Sequence, residues 1–542
     1  MDNILEKLRA PAGTRFSDAL EIVRAGEKDL ADYDVHISQI ESFLRLVKHR
    51  KERLNHYIIN CRSLLSPIRR LPEELLSEIF LWCCLSSPIC IYYDPDALPL
   101  TLSAVCSSWR ELVIASPSLW SNYYISTGYL WLNSDPETVA RDQILASTFQ
   151  LCLSRSKNTA LSLQTDCLDD GLEIMMSLMR QSHRWYEVVF SAAENTWETL
   201  SQLSGLHNLR SLDILDPNDK ILNALSPYLR DAPRLRSLRI FRDALSGQVV
   251  DFFPFSQLLN LELRDSKSDY HDLIRVLQNC VSLKCLTYAY DSLCHDTPEE
   301  FMHLPSVTLN HLGTLEIRLL TNWDLEYSSY PINSFLPQLT VPSLTKLKLT
   351  MSTSPICPFG RDSAQPEPEP ERPFPFSLDT LARLVKRSNC TMTTLYLERA
   401  VVKDTDIIKL LWHSPSLTRL TIHDPPLCAS FISITANLIA AMNPLSSVFR
   451  GVSQALLIPR LKILTFRCVG WKGFEMGKLV DMLASRWIPN EAYSKEIGVD
   501  CLRFFKLTSD DPEDKITGDS EAGRILLQLQ NAGLCVEAPI KA

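Results

Sequence analysis

Gly473-Phe474-Glu475-Met476-Gly477-Lys478 is the nearest approach in this chain to a phosphate loop, in which backbone N–H groups cradle phosphates and a lysine reaches them. Lys472 precedes it and Leu479 follows it, so both the leading glycine and the metal-binding hydroxyl are missing. His295, His303 and His311 recur at equal intervals that neither helix nor strand brings onto one face, and the spacing is not that of a zinc site. The 16 cysteines are scattered without a Cys-x-x-Cys pair; Cys83, Cys280 and Cys468 sit in apolar runs and read as small buried thiols. There is no Gly-x-Ser-x-Gly elbow, His-Glu-x-x-His helix or Gly-x-Gly-x-x-Gly loop. The expectation is a chain that is not itself an enzyme and takes no cofactor and no metal.

Contact surface is better supplied than bond chemistry. Leu71-Pro72-Glu73-Glu74-Leu75-Leu76-Ser77-Glu78-Ile79-Phe80 predicts a helix: Pro72 suits its first turn, Glu73 and Glu74 favour its N-terminus, and Leu75, Leu76, Ile79 and Phe80 recur at helical spacing. Leu102, Val105, Cys106, Trp109 and Leu112 imply a second short helix, stopped by Pro117 and followed by Leu119-Trp120.

In their order, Leu71, Pro72, Leu75, Ile79, Val105, Cys106, Trp109 and the Leu119-Trp120 pair resemble an F-box, the module through which substrate receptors join cullin-type ubiquitin ligases. The stretch 85–99 between the helices is longer and more apolar than a minimal F-box linker, and no contacts carry over to it. The resemblance implies that Leu71, Pro72, Leu75, Leu76, Ile79, Val105 and Trp109 bind a Skp-family adaptor and, through it, a cullin ligase.

Before this module, Val23, Leu30, Ile37, Leu44 and Ile58 fall in one heptad column and Tyr33, Ile40, Val47 and Leu54 in the other, interrupted by Lys51 and weakened at Gly26. Two partners fit this helix equally: a neighbouring part of the chain, or a second copy in a homodimer through residues 23–58. The basic run Lys48-His49-Arg50-Lys51-Glu52-Arg53 reads as a solvated helix face, and a net charge of −9 argues against a nucleic-acid partner.

After the module the chain repeats. The pattern apolar-x-x-apolar-x-apolar gives Leu209-Leu212-Ile214, Leu235-Leu238-Ile240, Leu258-Leu261-Leu263, Leu283-Leu286-Tyr288, Leu312-Leu315-Ile317 and Leu344-Leu347-Leu349. It continues with Met392-Leu395-Leu397, Leu417-Leu420-Ile422, Leu461-Leu464-Phe466 and Leu502-Phe505-Leu507, and weaker matches stand at Leu161-Leu163 and Trp185-Val188-Phe190. Several spacings are about 23 to 29 residues, the range of leucine-rich repeats. The last two apolar positions alternate as a strand requires and the first closes the turn before it. Helical stretches lie between, such as 271–277, 380–385, 429–442 and 474–487, and Pro-x-Leu before several strands ends the preceding helix. The asparagine of standard leucine-rich repeats is mostly absent; Asp216, Asp265, Asp291 and Asp424 follow the strands instead.

The expected fold is α/β: a flexible N-terminus (1–17), a heptad helix (18–62), an F-box (66–125) and a linker or cap (126–155). A leucine-rich-repeat-like solenoid with a parallel concave sheet follows (156–510), interrupted by a disordered Pro/Glu insertion (352–376), and a C-terminal cap (511–542) includes a helix over 521–531. The insertion fits a tolerated surface loop best, with a binding arm or a phosphorylation site as the alternatives. Between the buried strand positions, Asp213, Arg239, Glu262, Thr287, Glu316, Lys348, Tyr396, Thr421 and Thr465 point outward; Arg239, Glu262, Glu316, Lys348 and Tyr396 are the candidates for holding a target protein. No apolar run reaches the roughly 18 residues of a membrane span, and the first residues lack the core of a secretory signal, so an intracellular protein, cytoplasmic or nuclear, is expected. The whole order resembles the F-box substrate receptors of mushroom-forming fungi, which implies a substrate-recognition adaptor. The alternative is a non-enzymatic repeat scaffold dimerising through the N-terminal coiled coil.

Overall fold

A computed structural model of the chain describes residues 16–91, 97–126, 136–166, 172–191, 200, 202–215, 219–241, 252–265, 270–291, 305–321, 335–353, 378–400, 402–424, 432–445, 456–471 and 474–541. They belong to two compact units, Met1–Phe80 and Leu81–Ala542. The chain is α/β, with a long N-terminal helix and a large parallel sheet.

In the first unit, α1 (Phe16–Leu64) runs for 49 residues and the heptad side chains named above are exposed along it. A 3-10 turn (Pro67–Arg70) leads to α2 (Glu73–Ser86), whose residues from Leu81 on belong to the second unit and whose first turn closes when Leu76 N–H donates to the Pro72 carbonyl at 3.1 Å. Proline ahead of two glutamates is the helix start expected from sequence.

Among the described residues the second unit holds a sheet of fifteen parallel strands, hydrogen-bonded in chain order, and two two-stranded sheets, Val307–Thr308 with Leu339–Thr340 and Ile516–Thr517 with Ile540–Lys541. These are β1 (Ile89–Ile91), β2 (Asn122–Ser126), β3 (Leu161–Asp166), β4 (Trp185–Phe190), β5 (Ser211–Ile214), β6 (Ser237–Phe241), β7 (Asn260–Asp265) and β8 (Cys285–Asp291). The sheet continues through β9 (Thr314–Thr321), β10 (Lys346–Thr353), β11 (Thr394–Glu398), β12 (Arg419–His423), β13 (Ile463–Cys468), β14 (Phe504–Ser509) and β15 (Cys535–Glu537). The repeat pattern fixes the register: Leu212, Leu238, Leu261, Leu286, Leu315, Leu347, Leu395, Leu420, Leu464 and Phe505 stand opposite one another, strand to strand. All ten are buried, since a period of two sends them to the same face.

The first apolar residue of each repeat does a different job. Leu235, Leu283, Leu344, Leu417 and Leu461 donate their N–H groups to the carbonyls of Ala232, Cys280, Val341, Ser414 and Ile458, closing one tight turn before each strand. The next two N–H groups then share one carbonyl of the preceding repeat: Thr345 and Lys346 on Gly313, Thr393 and Thr394 on Thr345, Thr418 and Arg419 on Thr393, and Lys462 and Ile463 on Thr418. Backbone polar groups at the turn are thereby satisfied by the neighbouring unit.

Helices return the chain between strands. Asp379–Ser388 buries Leu381, Ala382, Leu384, Val385 and Ser388 on one face and ends on Asn389 in the left-handed region at φ 46°. Tyr270–Asn279, Ala436–Met442, Met476–Arg486 and Glu521–Asn531 occupy the other stretches read as helical; the second is shorter than the expected 429–442, since 432–435 are not helical and Thr435 caps the helix, and the third is narrower than 474–487. Arg486 holds two turns together: it is buried and donates to the carbonyls of Met442 (2.7 Å), Leu457 (2.9 Å) and Ile458 (3.1 Å), and burial brings its pKa down to about 10.

Several expectations need correction. The stretch 66–125 is not wholly helical, because β1 and β2 lie inside it and begin the sheet; β15 likewise adds a strand inside 511–542. The single helix expected through Cys106 is two, α3 (Leu98–Val105) and α4 (Ser107–Ala115), because Cys106 is extended at φ −160° and ψ 171°. Ser352 and Thr353, assigned to the Pro/Glu insertion, continue β10, and the rest of that insertion lies outside the described residues. Cys83 is exposed, whereas Cys280 and Cys468 are buried, and burial pushes the Cys280 thiol up to about 12. No described helix is long and apolar enough to cross a membrane.

Candidate protein-contact site

The residues expected to face outward form one continuous row. Asp213, Arg239, Glu262, Thr287, Glu316, Lys348, Tyr396, Thr421 and Thr465 are successive partners from β5 to β13, one position off the buried leucine row, and Lys506 and Glu537 extend it to β15. A second row two residues further on carries Arg264, Ala289, Arg318, Thr350, Glu398, His423 and Arg467. Sequence reasoning missed this row, although the same alternation places it on the same face.

The two rows lock into a charge network. Arg239 bonds Asp213 at 2.7 Å and lies 2.9 Å from Glu262, and Glu262 also pairs with Arg264 at 3.4 Å and Arg318 at 3.2 Å. Glu316 pairs with Arg318 at 3.0 Å and Lys348 at 3.2 Å, and Lys348 reaches Glu398 at 3.3 Å. Arg318 can cross from β9 to β7 because β8 offers only Thr287 and the buried Ala289 between them. Beyond Lys348, the Lys346 ammonium sits 5.2 Å from the centre of the Tyr396 ring, and Arg419 donates to the Tyr396 hydroxyl at 3.4 Å.

The acids are sunk and the cations stand proud. Asp213, Glu262 and Glu316 side chains are 9%, 12% and 16% exposed, against 42% and 38% for Arg239 and Arg318. Burial raises the Asp213 carboxyl above its ordinary value and outweighs Arg239, which works the other way. The Arg239 guanidinium is lowered by burial but held up more strongly by Asp213 and Glu262, for a net rise. In Glu316 the balance reverses: burial raises the carboxyl, and Arg318 with Lys348 brings it below its usual range. A shallow cavity of about 350 Å³ opens over β4 to β8, lined by Glu187, Asp213, Arg239, Glu262 and Thr287 among others. The surface thus offers guanidinium donors above a floor of carboxylates.

The helix α2 carries the other expected contacts and divides them. Leu75 and Ile79 are 53% and 43% exposed, and Trp82, seven residues beyond Leu75 on the same helix face, is exposed too. Leu76, assigned to that contact set, is 5% exposed and shares a buried stripe with Phe80 and Cys84, so it is a packing residue rather than a contact. Pro72 is exposed and Leu71 half-buried. Trp82 was overlooked in the sequence, where its position after Leu75 and Ile79 would have revealed it.

On α3 and α4, Val105 is exposed and Trp109 half-buried. Leu119 and Trp120 are buried: the Trp120 indole donates to the Val113 carbonyl at 2.9 Å, the Arg155 guanidinium lies 4.6 Å from its ring centre, and the Tyr123 hydroxyl donates to its carbonyl at 2.5 Å. That pair therefore anchors α4 to the start of β2. Of the three histidines, His311 is described and His295 and His303 lie outside the described residues; among the described residues no cluster of histidine, cysteine, aspartate or glutamate is arranged to hold a metal. Comparison with known proteins found no family model and no curated protein that matches the chain.

Proposed function

We propose that this chain is a substrate-recognition adaptor of a Skp/cullin/F-box ubiquitin ligase. In this reading α2, α3 and α4 form an F-box docking on a Skp-family adaptor, and the parallel sheet with its returning helices is a divergent leucine-rich-repeat solenoid. Leu71, Pro72, Leu75, Ile79, Val105 and Trp109 make the adaptor contact, and Trp82 joins them. The two charged rows, centred on Arg239, Glu262, Glu316, Lys348 and Tyr396, hold a target protein. The chain performs no bond chemistry: it raises the concentration of target beside the ligase's catalytic subunits.

The observation that carries this reading is the exposure of Leu75 and Ile79 on a helix opened by Pro72. Large apolar side chains turned to water in a row are the mark of a docking surface. Binding of the purified chain to a Skp-family adaptor tests it. Wild type is expected to co-purify with the adaptor, Leu75→Asp to lose it, and Pro72→Ala to weaken it. A wild-type chain that is folded and still fails to bind sinks the proposal and leaves the scaffold reading, in which these helices only begin the sheet.

A further inference from the structure

We infer that α1 pairs with α1 of a second copy of this chain as an antiparallel two-stranded coiled coil, centred between Ile37 and Ile40. Three observations lead there. The first is exposure: Leu30, Tyr33 and Ile40 are 66%, 65% and 66% exposed, at heptad positions of a helix 49 residues long. A stripe of that length needs a partner of similar length, and a second α1 has it by construction.

The second is charge. The first half of α1 is acidic on balance, with Asp18, Glu21, Glu27, Asp29, Asp32 and Asp34 against Arg24 and Lys28, and the second half is basic on balance, with Arg45, Lys48, Arg50, Lys51, Arg53 and Arg62 against Glu41 and Glu52. Two copies side by side in the same direction set like charge on like; reversing one copy sets each half against its complement.

The third is register. With Ile37 opposite the partner's Ile40, Tyr33 meets the partner's Leu44, Leu30 meets the partner's Val47, and Val23 meets the partner's Leu54. Gly26 and Lys51, the two faults in the heptad pattern, then fall opposite each other, in a layer that the two-fold axis repeats once towards each end, where the missing side chain of one leaves room for the long stem of the other. At the flanks Glu27 lies beside the partner's Lys48 and Asp29 beside the partner's Arg50. A slip of one heptad would oppose Lys51 to Tyr33 and Gly26 to Ile58, spoiling four layers in place of two. A parallel, in-register pair would stack Lys51 on Lys51 and set Asp29 beside Asp34, so both alternatives are penalised by the same residues that favour the reversed pair.

Sedimentation of the full chain at micromolar concentration tests the pairing, and charge exchange tests its direction. Wild type is expected at twice the monomer mass, and Ile37→Asp with Ile40→Asp at the monomer mass with helix content of the sheet-bearing unit retained. Lys48→Glu with Arg50→Glu should weaken the dimer by about tenfold or more, and adding Glu27→Lys with Asp29→Arg should restore it. A monomeric wild type, or a dimer indifferent to the Ile37 and Ile40 changes, overturns the pairing. A dimer that the four-residue exchange fails to restore overturns the antiparallel direction.

Discussion

Arg318 on β9 bonds Glu262 on β7 at 3.2 Å, reaching across the whole width of β8. The crossing depends on Ala289, the small residue that stands between Arg264 and Arg318 in the second outward row. Exposed pairs of this type contribute about 0–1 kcal/mol, and a sunken carboxylate raises the figure only modestly. A double-mutant cycle on Glu262→Gln and Arg318→Gln should give a coupling of about 1 kcal/mol in the wild-type background. In an Ala289→Leu background the coupling should vanish, because the isobutyl group occupies the path of the guanidinium. An unchanged coupling would show that the bond does not need the gap.

Asp424 is the clearest source of pH dependence. It is buried, its Oδ1 accepts the N–H groups of Ser433 (2.8 Å) and Ile434 (3.2 Å), and burial outweighs those bonds to push its pKa up to about 6. The unfolded chain holds the same proton with a pKa of about 3.9, so between about pH 4 and 6 the folded state binds more protons and loses stability as pH rises. The carboxylate costs the fold about 2–3 kcal/mol at neutral pH. Asp424→Asn keeps an acceptor for both N–H groups and removes the charge. Denaturant unfolding should find this variant more stable than wild type at pH 7 and nearly equal at pH 4; a loss of stability at pH 7 would contradict the assignment.

Arg486 makes the opposite case, a buried charge that the fold needs. Its guanidinium satisfies three carbonyls from two turns and has no carboxylate partner among the bonds that hold it. Arg486→Ala leaves those carbonyls unpaired in the core and should cost about 3–5 kcal/mol, read from thermal or urea unfolding. Arg486→Lys should recover only part, since a single ammonium cannot span all three acceptors. Equal stability of the alanine variant would mean that water replaces the side chain.

These positions also show what sequence patterning makes legible. Leucines at fixed offsets announced the strands from β5 to β14, their register and their buried face, because a period of two leaves no freedom once one face is apolar. The outward row followed by alternation, but its partners did not: the Arg318 crossing depends on which side chain is small two strands away, and no local pattern records that. β1 and β15 were hidden because the three residues of each, Ile89–Ile91 and Cys535–Glu537, are too few for a period to show. The helix Glu491–Ile497 has no apolar stripe to find; it is held by Asn490, which accepts from Ala492 and Tyr493 N–H groups, and by Gly498 at φ 71°. Within the α2 contact set the sequence did not separate Leu76 from Leu75, since a helix apolar on nearly every side does not declare which side is covered.

Strand order that copies chain order has a further consequence during synthesis. Each strand finds its hydrogen-bonding partner in the segment made just before it, and each shared carbonyl is already in place when its two N–H groups leave the ribosome. Each loop closure joins strands that are neighbours in the chain, so the unit from Leu81 onward can accrete from its N-terminal end. The strand beyond β14 is only the three residues Cys535–Glu537, a short template for a stray chain to pair with.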